Sequence, residues 1–450
     1  MKALLALLCL LAAATPAAAQ DRIDRLFTEY MARERIPGAV LVVWRDDEVA
    51  LRRAWGVADR ETGSAMSAGA LQPIYSVSKQ FTAALILRLA AQGRVELDAP
   101  VGRYLPEWFA DEPALRVRHL LRHTSGLPDF VAMPAARAIE QAAPGLHSPG
   151  AILDLVDPLP RRFPPGARHA YSNSNYTALA LIAERVSGRP FDRAQRELLL
   201  QPLGLDGIDE CEALDRSRIV VGHDSEANAV ALPVNRAPTH AGNGGLCASA
   251  DGLARWTRAL GEGRVIPPLL LAEMRADEPV SSGPTPPYGF GISLLPLAGR
   301  PAYSHAGAGD GWGAWAAYLP EERLTIVILV NRGWFWATDL GVPQVRLLTG
   351  APQPPALRRT RLRARERALL NGEFEDGLFD ISLRAQADRL ILTNPPFGEP
   401  IELWRQPDGR FVAPARPDTF SLRLVNGSIE FDWMEHRSYL VPRRSDVHSR

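Results

Sequence analysis

The sequence predicts an α+β protein: one antiparallel sheet assembled from both ends of the first 350 residues, a helical middle packed against it, and a small antiparallel β-barrel at the C-terminal end. Three observations carry this. Val40–Trp44 and Val49–Trp55 at one end, and Gly313–Leu319 and Leu324–Val330 at the other, are apolar or alternating runs, whereas Ala151 to about Arg275 reads as helices and loops. Gly350-Ala351-Pro352-Gln353-Pro354-Pro355 is a linker by composition. Beyond it, Phe379, Ile381 and Leu383 alternate with Asp380, Ser382 and Arg384, and Asp408-Gly409 and Asn426-Gly427 are hairpin turns.

At 450 residues the chain exceeds one ordinary core, which suits two domains of unequal size. The expected division is a signal peptide over 1–19, a large domain over 20–350, a linker over 351–360 and the barrel over 361–450. Apolar residues make up 46% and charged residues 23%, as in a soluble globular protein. Lys+Arg and Asp+Glu both number 51, so no overall field points to nucleic acid or an anionic membrane. Lys2, the apolar Ala3–Ala14 and the small residues Ala17-Ala18-Ala19 before Gln20 have the pattern of a secretory leader. Cys9 belongs to that leader, and no later run reaches the ~18 apolar residues a membrane span needs. A periplasmic or secreted location follows. There the remaining cysteines, Cys211 and Cys247, are expected to be bridged; the alternative is two small buried apolar side chains. Neither has a histidine companion at metal-binding spacing, so no metal is expected.

In chain order, Asp21–Arg35 carries apolar residues at helical spacing and is broken by Pro37-Gly38. A hairpin turns at Arg45-Asp46-Asp47-Glu48. A helix opening at Ser76 runs to near Gly93, and Arg118–Pro128 is a short helix stopped by a loop. Gly242-Asn243-Gly244-Gly245 precedes a helix bearing Leu253, Trp256 and Leu260. A strand is expected over Tyr288–Leu295, and a solvated, arginine-rich helix over Arg358–Arg367.

Chemistry begins at Tyr75-Ser76-Val77-Ser78-Lys79. Lys79 is the only lysine after Lys2, in a chain that otherwise uses arginine for positive charge. A guanidinium keeps its proton in a protein, whereas a buried ammonium can release one. Ser76 stands three residues earlier, on the same face of a helix, where a neutral amine would activate its hydroxyl. In Tyr171-Ser172-Asn173-Ser174-Asn175-Tyr176, a phenol and an amide two residues apart can enter one cavity. Tyr171 would share the serine's proton with Lys79, and Asn173 would hold a substrate carbonyl or orient Lys79. In Tyr303-Ser304-His305-Ala306-Gly307-Ala308-Gly309, the glycines admit a ligand close to the backbone, and His305 can donate a hydrogen bond to a substrate carboxylate or assist proton transfer.

Taken together and in this order, Ser76-x-x-Lys79, Tyr171-x-Asn173 and His305-x-Gly307 resemble the penicillin-recognising serine hydrolases. The branch they most resemble is the class C β-lactamase-related group of DD-peptidases, D-aminopeptidases, esterases and β-lactamases. His123-Thr124-Ser125-Gly126-Leu127, Pro202-Leu203-Gly204-Leu205 and Gly244–Leu253 are similar to that group as well, so the likeness runs from about 22 to 345. It implies the β-lactamase/transpeptidase-like fold and an acyl-enzyme mechanism without cofactor. Ser76 would be the nucleophile, with Lys79 and Tyr171 moving its proton. Asn173, His305, Gly307 and Ala308 would bind substrate, and the backbone N–H groups of Ser76 and Ala308 would form the oxyanion hole. The barrel is similar to the lipocalin-like accessory domain of D-aminopeptidase-like members.

The third motif carries His305-Ala306 where β-lactamases usually have Lys-Thr or Lys-Ser, and Ala306 lacks the hydroxyl that holds a substrate carboxylate. A His in this place resembles some DD-peptidases and D-amino-acid-specific peptidases of the group, so the implied substrate is a peptide with a D-residue. A small ester is the second choice and a β-lactam the third. A penicillin-binding sensor that deacylates slowly is the rival class.

Overall fold

Val40 and Val42 point to one side of their strand, and Ala39, Leu41 and Val43 to the other; all five are buried. Such a run is stable only where both faces of a sheet are covered. The structure, a computed structural model, describes residues 16–133, 148–223, 231–232, 241–282, 284, 286–376, 380–393, 400–425, 427–433 and 436–442. Its main sheet has five antiparallel strands, in the spatial order Glu48–Gly56, Gly38–Arg45, Leu324–Val330, Gly313–Leu319, Tyr303–Ala308. The two chain ends join where Gly38–Arg45 pairs with Leu324–Val330 in the register Ala39↔Val330 to Arg45↔Leu324. Val40 and Val42 face the helical middle, which includes Lys79–Ala91, Asn173–Ser187 and Ala250–Gly261. Leu41 and Val43 face a second layer shared with Ile23 and Phe27 of the helix Pro16–Glu34 and Leu340 and Val345 of Thr338–Thr349. The edge strand Glu48–Gly56 is mostly exposed and carries Arg52 and Arg53, charges that discourage pairing with another chain.

The C-terminal region closes into an eight-stranded antiparallel barrel, from Gly372–Glu375 to His436–Pro442, whose first and last strands pair through Phe374↔Pro442 and Glu375↔Val441. Closure removes the sheet edges. Leu383, Leu390, Leu403, Phe411 and Leu422 fill the interior. Helix Thr338–Thr349 docks the barrel: Arg346 pairs with Asp418 at 2.6 Å, and the buried Asp339 meets Arg416 at 3.3 Å and the hydroxyl of Thr419. On another side, Arg162 meets Glu375 at 3.0 Å.

Two expectations need correcting. Tyr288–Leu295 is not a strand. Gly291 adopts φ +70° and the chain doubles back, leaving only the bridges Tyr288↔Ser293 and Ser293↔Ser304. The arginine-rich helix is short, Ala364–Leu369, and it is not wholly solvated: Glu366 is buried against Arg405 at 2.8 Å. The residues before it run beside the barrel, where Thr360 N–H donates to the Arg405 carbonyl at 2.8 Å. The first fifteen residues of the expected leader, together with Phe379 and Asn426, lie outside the described residues.

Candidate active site

Ser76 is delivered by a small three-stranded sheet. Gln72–Pro73 pairs with Leu246–Ala248, which pairs in turn with Ile208–Glu210, and Cys211 and Cys247 are bridged beside it. Tyr75 then takes φ +46°, a backbone conformation that costs an aromatic residue on the order of 1 kcal/mol or more. Its hydroxyl donates to the Asp310 carbonyl, which helps hold the turn. One tight turn, Tyr75–Ser78, leads into the helix Lys79–Ala91. Ser76 therefore stands at the head of that helix, one turn ahead of Lys79.

Lys79 is fully buried. Its Nζ donates to Ser76 Oγ at 3.0 Å, Asn173 Oδ1 at 2.8 Å and the Asn243 carbonyl at 2.9 Å, and lies 4.9 Å from the centre of the Tyr171 ring. Burial pushes its pKa down to about 7, with the Asp129 charge opposing the fall. Near neutral pH both protonation states are populated, so the amine beside Ser76 can accept a proton.

The segment around Tyr171 is gripped from three sides. Ala170 N–H donates to the His123 carbonyl at 2.9 Å, Ser172 N–H to His123 Nδ1 at 3.1 Å, and Asn173 N–H to Asp129 Oδ1 at 3.2 Å. The His123 ring lies against Tyr171, with centroids 4.2 Å apart. Because the Nδ1 of His123 accepts an N–H, the ring proton sits on Nε2. Asn173 opens the helix Asn173–Ser187, and its amide is used at both ends. Oδ1 faces Lys79, while Nδ2 donates to Asp129 Oδ2 at 3.0 Å.

Strand Tyr303–Ala308 forms the opposite wall. A Cβ on Gly307 would lie 2.1 Å from the Ile74 carbonyl oxygen and 2.9 Å from Ser76 N, so only glycine lets the strand approach this closely. Ala308 follows directly. His305 is fully buried, with Nδ1 2.7 Å from the Ala306 carbonyl and Nε2 2.9 Å from the Tyr288 hydroxyl. A carbonyl only accepts, so Nδ1 carries the proton and Tyr288 donates to Nε2. The Ala306 methyl packs with Leu297, Ala302 and Trp315 in the layer behind the sheet.

The structure thus brings Ser76, Lys79, Tyr171, Asn173 and Gly307 together, sets the His305 ring beside Tyr288 and 6.5 Å from the Tyr171 ring, and leaves Cys211–Cys247 as a brace to one side. Asp129 and Tyr288 carry no site role in the sequence reading, and His123 and Asn243 enter it only as members of His123–Leu127 and Gly242–Gly245. Only burial and partners reveal what they hold. A cavity of about 180 Å³ adjoins the Tyr171 segment at the barrel junction, lined by Arg168, His169, Asp376 and Tyr439 among others.

This sheet, helical middle and serine–lysine pair define a β-lactamase-type domain. The chain belongs to the Beta-lactamase family, whose model matches residues 23–336. A D-aminopeptidase of Gluconobacter oxydans (strain 621H) is 30% identical over 333 residues, covering 72% of this chain and 62% of the relative. The chain therefore matches about three fifths of that protein's length. Among solved structures, the octameric penicillin-binding protein homologue from Pyrococcus abyssi aligns with a TM-score of 0.67 at 21% identity, over 93% of this chain and 99% of that one. The D-amino acid amidase from Ochrobactrum anthropi SV3 aligns with a TM-score of 0.62 at 21% identity, over 74% and 98% respectively. These two likenesses concern the fold.

Proposed function

We propose that the protein is an exported serine hydrolase that is acylated on Ser76 by amides of D-amino acids, releasing an amine and then the D-amino acid or D-aminoacyl product. The observation that carries this is the 3.0 Å contact between Ser76 Oγ and a buried Lys79 whose proton is labile near neutral pH. The D-residue follows from the names of the relatives, D-aminopeptidase among them. The leader-like start and the Cys211–Cys247 bridge support export.

Neutral Lys79 takes the Ser76 proton as Oγ bonds to the substrate carbonyl carbon. The oxyanion settles between the N–H groups of Ser76 and Ala308, each donor worth roughly 3 kcal/mol in comparable hydrolases. Tyr171 gives its phenolic proton to the leaving nitrogen, the C–N bond breaks, and the Lys79 ammonium reprotonates Tyr171. Water then attacks the acyl carbon and returns a proton to Ser76. Asn173 and the Asn243 carbonyl hold the amine in line throughout. His305, whose ring lies 6.5 Å from that of Tyr171 and which is held by the Tyr288 hydroxyl, stands on the substrate side of the same site.

Turnover of D-alanine p-nitroanilide, its L-enantiomer, p-nitrophenyl acetate and nitrocefin by the purified protein tests this. The proposal expects the D-anilide to exceed the L-anilide at least tenfold and nitrocefin to be turned over least. Equal rates on the two enantiomers remove the D-specific part, and a single burst on every substrate favours a slowly deacylating sensor.

A further inference from the structure

Asp129 is 5% exposed and sits at the start of the turn Phe130–Ala132. Its carboxylate accepts from Asn173 N–H at 3.2 Å, Val131 N–H at 3.2 Å and Asn173 Nδ2, at 3.3 Å to Oδ1 and 3.0 Å to Oδ2. Nothing in the proposed acyl transfer uses it directly. Yet it stands one residue away from Lys79, through an amide that has an oxygen at one end and a nitrogen at the other.

We infer that Asp129 is a positioning residue: by holding Nδ2 of Asn173, it aims the amide oxygen at Lys79 and fixes where the amine stands beside Ser76. This rests on the proposed role of Lys79. The donor–acceptor inventory allows one arrangement. An ammonium only donates and an ionised carboxylate only accepts, so the amide between them must show oxygen to Lys79 and nitrogen to Asp129. With the carboxylate gone, an Asn173 flip would turn an N–H₂ toward the ammonium and remove an acceptor. The same carboxylate pins Asn173 N–H, two residues from Tyr171, so it bears on both proton carriers.

Asp129 also acts by charge. Burial raises its own pKa, against the N–H donors and Lys79, and it is the charged group that draws the Lys79 pKa up against desolvation. Among the described residues, the titratable side chains facing Lys79 are Tyr171, with Nζ 4.9 Å from its ring centre, Tyr176 at 5.6 Å, and Asp129 beyond Asn173; the Gly242–Gly245 loop presents the Asn243 carbonyl.

The test measures acetylation by p-nitrophenyl acetate and labelling by a fluorophosphonate across pH 5–10, for wild type, Asp129→Asn and Asp129→Asn/Asn173→Asp. Asp129→Asn keeps the shape but faces Nδ2 with a second amide and removes the charge. It is expected to slow acylation about 100-fold, the scale of a misplaced catalytic group, and to move the acidic midpoint to lower pH. The double variant restores an acceptor for Lys79 and a donor–acceptor match at position 129. It is expected to recover most of the rate, with its midpoint above that of wild type because a carboxylate then touches the amine.

A wild-type protein that neither reagent modifies would sink the role of Ser76 and Lys79 itself. A reactive wild type with Asp129→Asn unchanged in rate and midpoint overturns only the inference about Asp129. So does a folded double variant as slow as the single one. If thermal melting shows both variants unfolded, Asp129 is a structural residue and the inference fails.

Discussion

Nζ of Lys79 lies 3.0 Å from Oγ of Ser76, with its other two hydrogen bonds spent on Asn173 and the Asn243 carbonyl. Three acceptors for three N–H bonds leave the ammonium fully satisfied though fully buried. Loss of its proton is therefore a local event at the serine, and the reaction should follow it.

The sign of the pH effect is set by burial, which depresses the Lys79 pKa to about 7. The amine is protonated and idle below that value and free above it. Acylation should rise with pH through a midpoint near 7 and level off above it. Lys79→Arg, which cannot deprotonate, should lower the rate by about 10³-fold at every pH. A flat profile in wild type, or substantial activity in Lys79→Arg, would contradict this.

Much of this was readable in the sequence, for physical reasons. The strands of the main sheet announce themselves because both faces are buried, as at Ala39–Val43 and Leu324–Val330, and the barrel because its strands alternate. Lys79 stood out because arginine had replaced lysine everywhere else after Lys2. Asp129 and Tyr288 did not stand out. Each acts on groups brought close by folding: Asn173 is 44 residues from Asp129, and His305 is 17 from Tyr288. Tyr288 was further hidden inside an apolar run that reads as a strand until Gly291 turns it back.

The Cys211–Cys247 bridge closes a loop of sequence separation 36 beside the strand that delivers Ser76, since Cys247 pairs with Pro73. Loop entropy alone assigns it about 4 kcal/mol. The double variant Cys211→Ser/Cys247→Ser should melt several degrees lower by calorimetry, and wild type should fall to match it in a reducing agent. Equal melting temperatures for the two proteins would show the bridge to be idle.

Asp339 joins the barrel to the first domain through Arg416 and Thr419, and it is buried. Asp339→Ala should cost about 1–3 kcal/mol, the usual penalty for buried donors that lose their acceptor. The barrel should then be cut away by limited proteolysis near 350–360 faster than in wild type. An unchanged digestion pattern would place the docking energy elsewhere, for example in the Trp336–Trp433 contact.

Ser76 as the point of acylation is tested most directly by intact mass and peptide mapping after a brief reaction with p-nitrophenyl acetate and acid quench. One acetyl group is expected, on the peptide carrying Ser76, and none in Ser76→Ala. Acetyl found elsewhere in wild type, or equal acetylation of Ser76→Ala, would contradict it.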